Sequence, residues 1–148
     1  TISAVINGGT MITPHFGVSI SDTETQKKTN IRYTSKKNVI SKETSDVMKN
    51  VLETVVSEGG GKKAAIEGYK VGAKTGTSEK LPRRSGKYIA SCMGFAPAQN
   101  PKVIALVLID EPSGIYYGGT IAAPVISKLL DDILPYVDGK EDYGYSGN

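Results

Sequence analysis

The sequence predicts an α+β fold in which an antiparallel sheet is flanked by helices. Three extended runs follow one another after Tyr69, and they read "YKVGAKTGTS", "YIASCMGFAP" and "KVIALVLIDEP". A charged loop from Glu79 to Lys87 and a tight "AQNP" turn separate these runs, and neighbouring strands joined by short connections pair antiparallel. One amphipathic helix precedes the runs and a second apolar helix follows them.

The residues before the first of these helices predict short elements. The stretch "TISAVINGG" indicates the end of a helix, because its apolar residues recur at helical spacing and its Gly-Gly pair can take the positive φ of a helix stop. The alternation in "FGVSISD" predicts a strand, "TETQKKTN" predicts a polar loop, and "NVIS" at residues 38–41 predicts a short extended piece.

The amphipathic helix is predicted from Lys42 to Ser57, with Ser41 as its N-cap. Its apolar residues fall on one stripe along the helix, and the stretch "EGGGKK" then ends it. The members of the stripe are Val47, Met48, Val51, Leu52, Val55 and Val56.

The residues after the sheet predict a loop, a closing helix and a tail. The stretch "SGIYYGGT" indicates a Gly-rich loop whose Thr120 caps a helix from Ile121 to about Leu134. Pro124 is tolerated there because it falls in the first turn. We expect residues 138–148, which are polar and Gly-rich, to be disordered.

Composition excludes several classes of protein. A chain of 148 residues has room for one core, and a net charge of +3 on scattered basic residues does not indicate nucleic-acid binding. Cys92 and His15 are each the only residue of their type, so the sequence predicts no metal site and no cofactor. Cys92 lies in an apolar run and is interpreted as a small buried residue. No apolar run reaches the ~20 residues of a membrane span, and we expect the chain itself to be soluble.

The stretch "KVGAKTGTSEK" raises the question of what Lys74, Thr75, Gly76 and Thr77 could hold. A P-loop is excluded, because that motif needs Gly directly before the Lys and a helix after it. On a strand, Lys74 and Gly76 point to one face and Thr75 and Thr77 to the other. Two hydroxyls beside an ammonium suit a carboxylate, and an open strand edge suits an extended peptide. The alternative is a Thr-rich edge strand with a solvated lysine.

The order of several motifs gives a more specific interpretation. "KTGTS" is followed by "YIASCMGFAPAQNP", "ALVLIDEP" and "YYGGTIAAPVI", and it is preceded by "AVINGGTMITPH". This series resembles the C-terminal part of the transpeptidase domain of class B penicillin-binding proteins, over nearly the whole chain except the tail. The resemblance implies the fold of the penicillin-binding-protein and β-lactamase superfamily, with residues 1–137 as the C-terminal portion of the domain.

The resemblance also implies roles for individual residues. Lys74 would be the lysine of the third family motif, which aids binding of the substrate carboxylate and hydrogen-bonds to groups around the nucleophile. Thr75 and Thr77 would bind the terminal carboxylate of a D-alanyl-D-alanine stem peptide or of a β-lactam, with Gly76 giving access to the backbone. The N–H of Thr77 would be one oxyanion donor. Gly118 and Gly119 would lie in the loop beside the cleft, or would only turn the chain.

Two further motifs of the family are not found. The sequence contains no Ser-x-x-Lys, and the nearest approach, Ser45 and Lys49, has a spacing of four instead of three. A single Ser-x-Asn occurs at Ser146 to Asn148. It lies after the third motif, whereas in the family it lies before the third motif. The resemblance therefore implies the C-terminal portion of a larger enzyme anchored at the extracytoplasmic face of the bacterial cell membrane. Alone, the chain is expected to be inactive, to lack the N-terminal half of its domain and to self-associate through exposed apolar surface.

The sequence leaves three functions open. The first is a serine D,D-transpeptidase that cross-links peptidoglycan through an acyl-enzyme. The second is a β-lactamase or β-lactam sensor of the same superfamily. The third is a non-catalytic module that binds a peptide C-terminus at an open strand edge.

Overall fold

The first residues form a short helix and two small β-ribbons. A computed structural model of the chain describes residues 1–137 and 139, in two units that divide after Asp46. In the first unit, helix α1 spans Ile2–Ile6. Strand β1 (Met11–Ile12) pairs with β4 (Ser35–Lys36), and β2 (Ser19–Ser21) pairs with β3 (Lys28–Asn30), both antiparallel.

The predicted helix stop is confirmed, and one predicted extended piece is wrong. Gly8 and Gly9 have φ of 83° and 88°, as a helix stop of this kind requires. Residues 38–41 form no strand, because Asn38 has a φ of 57°, in the left-handed region. The pairing strand lies earlier, at β4. Likewise β3 falls inside the stretch predicted as a polar loop, since it pairs with β2 despite its polar side chains.

Helix α2 spans Lys42–Ser57, as the sequence predicts. The predicted N-cap is also confirmed, because Ser41 Oγ accepts a hydrogen bond from the N–H of Thr44 at 3.1 Å. Only part of the apolar stripe is covered: Leu52 and Val56 are buried, whereas Val47 is 60% exposed. The helix crosses from the first unit into the second.

The second unit is built on the predicted antiparallel sheet. Its strands are β5 (Gly72–Glu79), β6 (Tyr88–Ala96) and β7 (Val103–Asp110), in the order β5-β6-β7. The pairing places Thr75 opposite Cys92 and Gly76 opposite Ser91. In the described part of the chain β5 is therefore an edge strand, paired on one side only.

Two helices follow the sheet and differ from the prediction at their ends. Helix α3 spans Gly118–Ile121 and α4 spans Ala123–Val137. Thr120 is therefore not a cap but a residue inside α3, whose N-cap position is Tyr117. Pro124 lies in the first turn of α4, where its missing N–H leaves no intrahelical bond unmade. Pro135 does not stop α4, which continues to Val137.

The core of this unit lies between α4 and one face of the sheet. Ile126, Leu130 and Leu134 on α4 are fully buried, and they cluster with Ala73 and Cys92 of the sheet. The interpretation of Cys92 as a small buried residue is thus confirmed. The predicted disorder of residues 138–148 lies outside the described residues, apart from Gly139.

Candidate active site on strand β5

The Lys-Thr-Gly-Thr stretch lies in the middle of β5 and is accessible. Lys74 and Thr77 are exposed, and Thr75 and Gly76 are half-buried. The segment is extended and none of its four residues is sealed in the interior, as the carboxylate interpretation requires. The flanking Gly72 and Ala73 are buried and anchor the strand in the sheet.

The two threonines lie on the face of the sheet that carries α3 and α4. Thr75 and Thr77 are opposite Cys92 and Ala90, and residues directly opposite in a sheet share a face. Cys92 belongs to the core beneath α4, and the N–H of Gly118 donates to Thr77 Oγ1 at 3.2 Å. Gly76 belongs to the other face, where a Cβ would come within 2.6 Å of the Ser91 hydroxyl oxygen. Only glycine fits there without moving Ser91.

The backbone groups of the threonines point away from the sheet. The N–H of Lys80 donates to the carbonyl of Lys87 at 2.8 Å, one step beyond the pair Glu79 and Tyr88. Hydrogen-bonded pairs alternate along an antiparallel ladder, so the even-numbered residues of β5, Gly76 among them, bond to β6. The N–H and C=O groups of Thr75 and Thr77 therefore face the outer edge of β5, where the described part of the chain supplies no strand.

The ammonium of Lys74 reaches this same edge. Its Nζ donates a hydrogen bond to the carbonyl oxygen of Thr75, which faces outward. A positive charge, two outward N–H groups and two hydroxyls thus lie within the four residues from Lys74 to Thr77, a distance of about 10 Å along the strand. Such an arrangement can hold a carboxylate and can direct an N–H at a developing oxyanion.

Helix α3 approaches β5 closely because it begins with two glycines. A Cβ on Gly118 would lie 2.2 Å from the carbonyl oxygen of Ser91 and 2.3 Å from that of Gly76. A Cβ on Gly119 would lie 2.4 Å from the carbonyl oxygen of Gly60. Both glycines therefore lie beside the threonines, and an added Cβ at either position would first meet backbone atoms of the sheet or of the turn after α2.

Two tyrosines near strand β5, Tyr116 and Tyr117, were not singled out as site residues from the sequence. The ring of Tyr116 stacks on that of Tyr88 with centroids 4.0 Å apart, and the ring of Tyr117 lies 4.7 Å from that of Tyr116. A hydrogen bond with Tyr116 raises the pKa of Tyr117. The available signal was the Tyr-Tyr pair directly before Gly118, which the prediction treated as part of a loop.

The remaining candidate groups do not form a second reactive centre. Burial raises the pKa of the Cys92 thiol, although the charge of Lys74 opposes this shift, so the reactive thiolate is disfavoured. His15 is exposed, with its ring stacked on Tyr33 at 3.7 Å. Among residues 1–137 and 139, no three His, Cys, Asp or Glu side chains are grouped as a metal ion would require.

Comparison with known proteins identifies the family of this α+β chain. The family model of the penicillin binding protein transpeptidase domain matches residues 1–131. The chain therefore belongs to the penicillin-binding protein transpeptidase-domain family.

Relatives with named functions agree with this membership. Stage V sporulation protein D of Bacillus subtilis is 44% identical over 141 residues, which are 90% of this chain and 22% of that protein. Peptidoglycan D,D-transpeptidase FtsI of Escherichia coli is 45% identical over 90 residues, which are 57% of this chain and 15% of that protein. The chain thus spans no more than about a quarter of the length of these two relatives.

Solved structures confirm the fold class. The D,D-transpeptidase domain of a peptidoglycan glycosyltransferase from Eggerthella lenta matches with a TM-score of 0.75 and 27% identity, over 94% of this chain and 31% of that chain. The transpeptidase domain of penicillin-binding protein 3 from Burkholderia pseudomallei matches with a TM-score of 0.68 and 31% identity, over 93% of this chain and 40% of that chain. None of the described helices has both the length and the apolar character needed to cross a bilayer.

Proposed function

We propose that this chain carries the carboxylate- and oxyanion-binding part of a serine D,D-transpeptidase that cross-links peptidoglycan. Its substrate is a stem peptide ending in D-alanyl-D-alanine, and β-lactams bind at the same edge while they acylate the serine of the complete enzyme. The observation that carries the proposal is the outer edge of β5, where the Lys74 ammonium and the outward backbone groups of Thr75 and Thr77 lie together. The names of the relatives, which include peptidoglycan D,D-transpeptidases, support the reaction class.

In the proposed reaction, the residues from Lys74 to Thr77 each have a separate role. The Thr75 and Thr77 hydroxyls hydrogen-bond the terminal carboxylate of the ligand, and the Lys74 ammonium provides the opposite charge. When a serine attacks the penultimate carbonyl carbon, the oxygen of that carbonyl becomes negative and accepts the N–H of Thr77. The terminal D-alanine then leaves, and an amine of a second stem peptide attacks the acyl-enzyme. Gly76 keeps the strand free of a side chain where the peptide lies.

The attacking serine comes from residues other than these 148. The sequence contains no Ser-x-x-Lys, and its single Ser-x-Asn lies after the Lys-Thr-Gly-Thr motif. Residues 1–137 are accordingly the C-terminal portion of a transpeptidase domain, and the polypeptide that carries them holds the nucleophile motif elsewhere. The chain alone is not acylated by penicillin, because the hydroxyl that would attack is absent. We place the complete enzyme at the outer face of the cytoplasmic membrane, where peptidoglycan is assembled.

The exposed face of strand β7 supports the proposal that a further part of the domain packs on this sheet. Leu106 and Leu108 are 62% and 63% exposed on one face, while Val107 and Ile109 are partly buried on the other. A strand that is apolar on both faces is typical of burial on both sides. The N-terminal half of the same domain therefore covers this face, and the isolated chain self-associates through it. Light scattering that gave a monomer for the isolated chain would contradict this part of the proposal.

The decisive test isolates the Thr77 N–H in the intact polypeptide, meaning the complete protein that contains these 148 residues. Thr77→Ala removes the hydroxyl and keeps the N–H, whereas Thr77→Pro removes both. Proline is tolerated on an edge strand where its N–H would have faced outward. We expect Thr77→Pro to be acylated by fluorescent penicillin about 10²–10³-fold more slowly than Thr77→Ala, which is the usual effect of losing one oxyanion donor.

The matched control uses the next outward N–H along the strand. Glu79→Pro and Glu79→Ala should be acylated at rates within about threefold of each other, because the Glu79 N–H faces outward beyond the reacting carbonyl. Equal acylation of Thr77→Pro and Thr77→Ala would overturn the oxyanion role. Absence of acylation in the unsubstituted polypeptide, together with binding of a D-alanyl-D-alanine peptide, would favour the non-catalytic module. Rapid release of the penicilloyl group would favour a β-lactamase.

A further inference from the structure

The hydroxyl of Thr77 is held in one hydrogen-bonding role. Thr77 Oγ1 accepts the N–H of Gly118 at 3.2 Å. A threonine hydroxyl has one hydrogen to donate and two lone pairs, and the Gly118 N–H occupies one of those lone pairs. Within residues 1–137 and 139 the Thr77 hydroxyl donates to no group. Its hydrogen is therefore available to an acceptor that comes from outside the described chain.

The position of the Gly118 N–H depends on the absence of a side chain. A Cβ at this position would fall 2.2 Å from the Ser91 carbonyl oxygen and 2.3 Å from the Gly76 carbonyl oxygen. Both atoms belong to the backbone of paired strands and cannot turn aside as a side chain could. With any other residue, α3 must move back from the sheet until the contact reaches about 3.0 Å or more. A retreat of this size would stretch the hydrogen bond to Thr77 beyond a useful length.

We propose that Gly118 is a positioning residue, whose N–H orients the Thr77 hydroxyl as a donor toward the carboxylate of the ligand. This inference rests on the proposed function of the same site. Gly118 does not itself touch the ligand, and it acts through Thr77. Because an oriented O–H donates well to a carboxylate and less well to an ester carbonyl, the contact makes the site selective for ligands with a free terminal carboxylate.

The expected change in selectivity between a free carboxylate and a neutral ester can be calculated from the strength of one hydrogen bond. A hydrogen bond to a charged group such as a carboxylate is worth about 1.5–3 kcal/mol. Loss of this hydrogen bond should therefore lower the preference for benzylpenicillin over its neutral methyl ester by roughly 10- to 150-fold. The preference is the ratio of the second-order rate constants for acylation by the two compounds.

The experiment compares this ratio among variants of the intact polypeptide. Gly118→Ala moves the N–H, and Thr77→Val removes the hydroxyl while keeping the branched shape. Thr77→Ser keeps the hydroxyl and should keep the ratio. Gly60→Ala is the matched control, because a Cβ on Gly60 would have no atom within 4 Å. A second replacement at position 118, glycolic acid introduced in place of glycine, exchanges the N–H for an ester oxygen without adding a Cβ.

The proposal predicts one pattern across these variants. Gly118→Ala and the glycolic acid replacement should lower the ratio as much as Thr77→Val does, with acylation by the methyl ester little changed. Combining Gly118→Ala with Thr77→Val should lower it no further, because both changes act on one contact. Should Gly118→Ala not fold, the glycolic acid replacement carries the test alone.

Three other patterns would overturn the inference, and they differ in whether the proposed function fails as well. If Thr77→Val lowers the ratio and the glycolic acid replacement does not, Gly118 has no positioning role and the proposed function stands. If the effects of Gly118→Ala and Thr77→Val multiply in the double variant, Gly118 does not act through Thr77. If Thr77→Val itself leaves the ratio unchanged, the carboxylate-binding role in the proposed function fails as well.

Discussion

The contact between Gly94 and Ile126 gives the sharpest prediction about the fold, because it fixes how closely α4 lies on the sheet. A Cβ built on Gly94 would fall 2.3 Å from Cγ2 of Ile126 and 3.4 Å from Cδ1 of Leu130. Both helix residues are fully buried, so neither can move into solvent. Gly94→Ala therefore forces the sheet and α4 apart, or forces Ile126 out of its preferred rotamer.

The magnitude follows from two opposing contributions. Opening the contact from 2.3 Å to the ~3.0 Å that real side chains tolerate requires a shift of at least ~0.7 Å. Overpacking of this kind costs about 1–3 kcal/mol, while replacing glycine within a strand recovers about 0.5–1 kcal/mol. We expect a net loss of about 0–2.5 kcal/mol in the free energy of unfolding, and its middle value of about 1 kcal/mol corresponds to a fall in Tm of about 2–4 °C for a domain of this size.

A substitution at Ile126 tests whether the loss of stability in Gly94→Ala comes from the contact with Ile126 or from a general effect of alanine in the strand. Ile126→Leu conserves volume but has no Cγ2, so the atom that an alanine at position 94 would strike is gone. In the Ile126→Leu background, Gly94→Ala should lower Tm by less than half as much as it does alone, measured by calorimetry on the intact polypeptide. Gly60→Ala, whose Cβ meets nothing within 4 Å, should leave Tm unchanged. Equal losses in both backgrounds would refute the reasoning.

Two further predictions concern the described hydrogen bonds and charges. Ser45 is fully buried, and its hydroxyl accepts a hydrogen bond from the N–H of Gly8 at 3.0 Å while its O–H donates to the carbonyl of Val5 at 2.6 Å. Ser45→Ala leaves both backbone groups unsatisfied and should cost about 1–3 kcal/mol, seen as a lower midpoint in denaturant; an unchanged midpoint would show that water replaces the hydroxyl. The ammonium of Lys80 lowers the pKa of the exposed Glu111 carboxylate. A lowered folded-state pKa gives stability that is present above the ordinary glutamate pKa and lost as the pH falls through the lowered pKa. Glu111→Gln should therefore lower Tm near neutral pH, and a difference in Tm that persisted in strong acid would contradict this account.

The helices and strands with strong local signals could be predicted from the sequence. Helix α2 begins and ends at the predicted residues, because a serine cap, an apolar period and a glycine run mark it within one stretch of chain. The order and direction of β5, β6 and β7 followed from their apolar runs and short connections. The extended state of Lys74 to Thr77 was part of the same prediction, since these residues lie inside the first run.

Features that depend on distant residues could not be predicted in this way. Strand β3 is polar and exists because it pairs with β2. Helix α3 begins at Gly118, although a glycine pair is typical of a loop, because the glycines allow the chain to approach Gly76 and Gly60. The hydrogen bond from Gly118 to Thr77 joins residues 41 positions apart. No local pattern carries the information for such a contact.

The position of the motif on an edge strand has a physical reason that connects fold to function. The outward N–H and C=O groups of Thr75 and Thr77 are the groups that a neighbouring strand would bind, and they are also the groups that a peptide ligand and an oxyanion need. Pairing this edge would therefore abolish the proposed site, so the proposed function requires β5 to stay open despite the tendency of open edges to associate. Lys74 serves both requirements, because its charge attracts a carboxylate and discourages pairing with another strand. The same reasoning does not apply to β7, whose exposed leucines form an apolar surface and offer no polar group to a ligand.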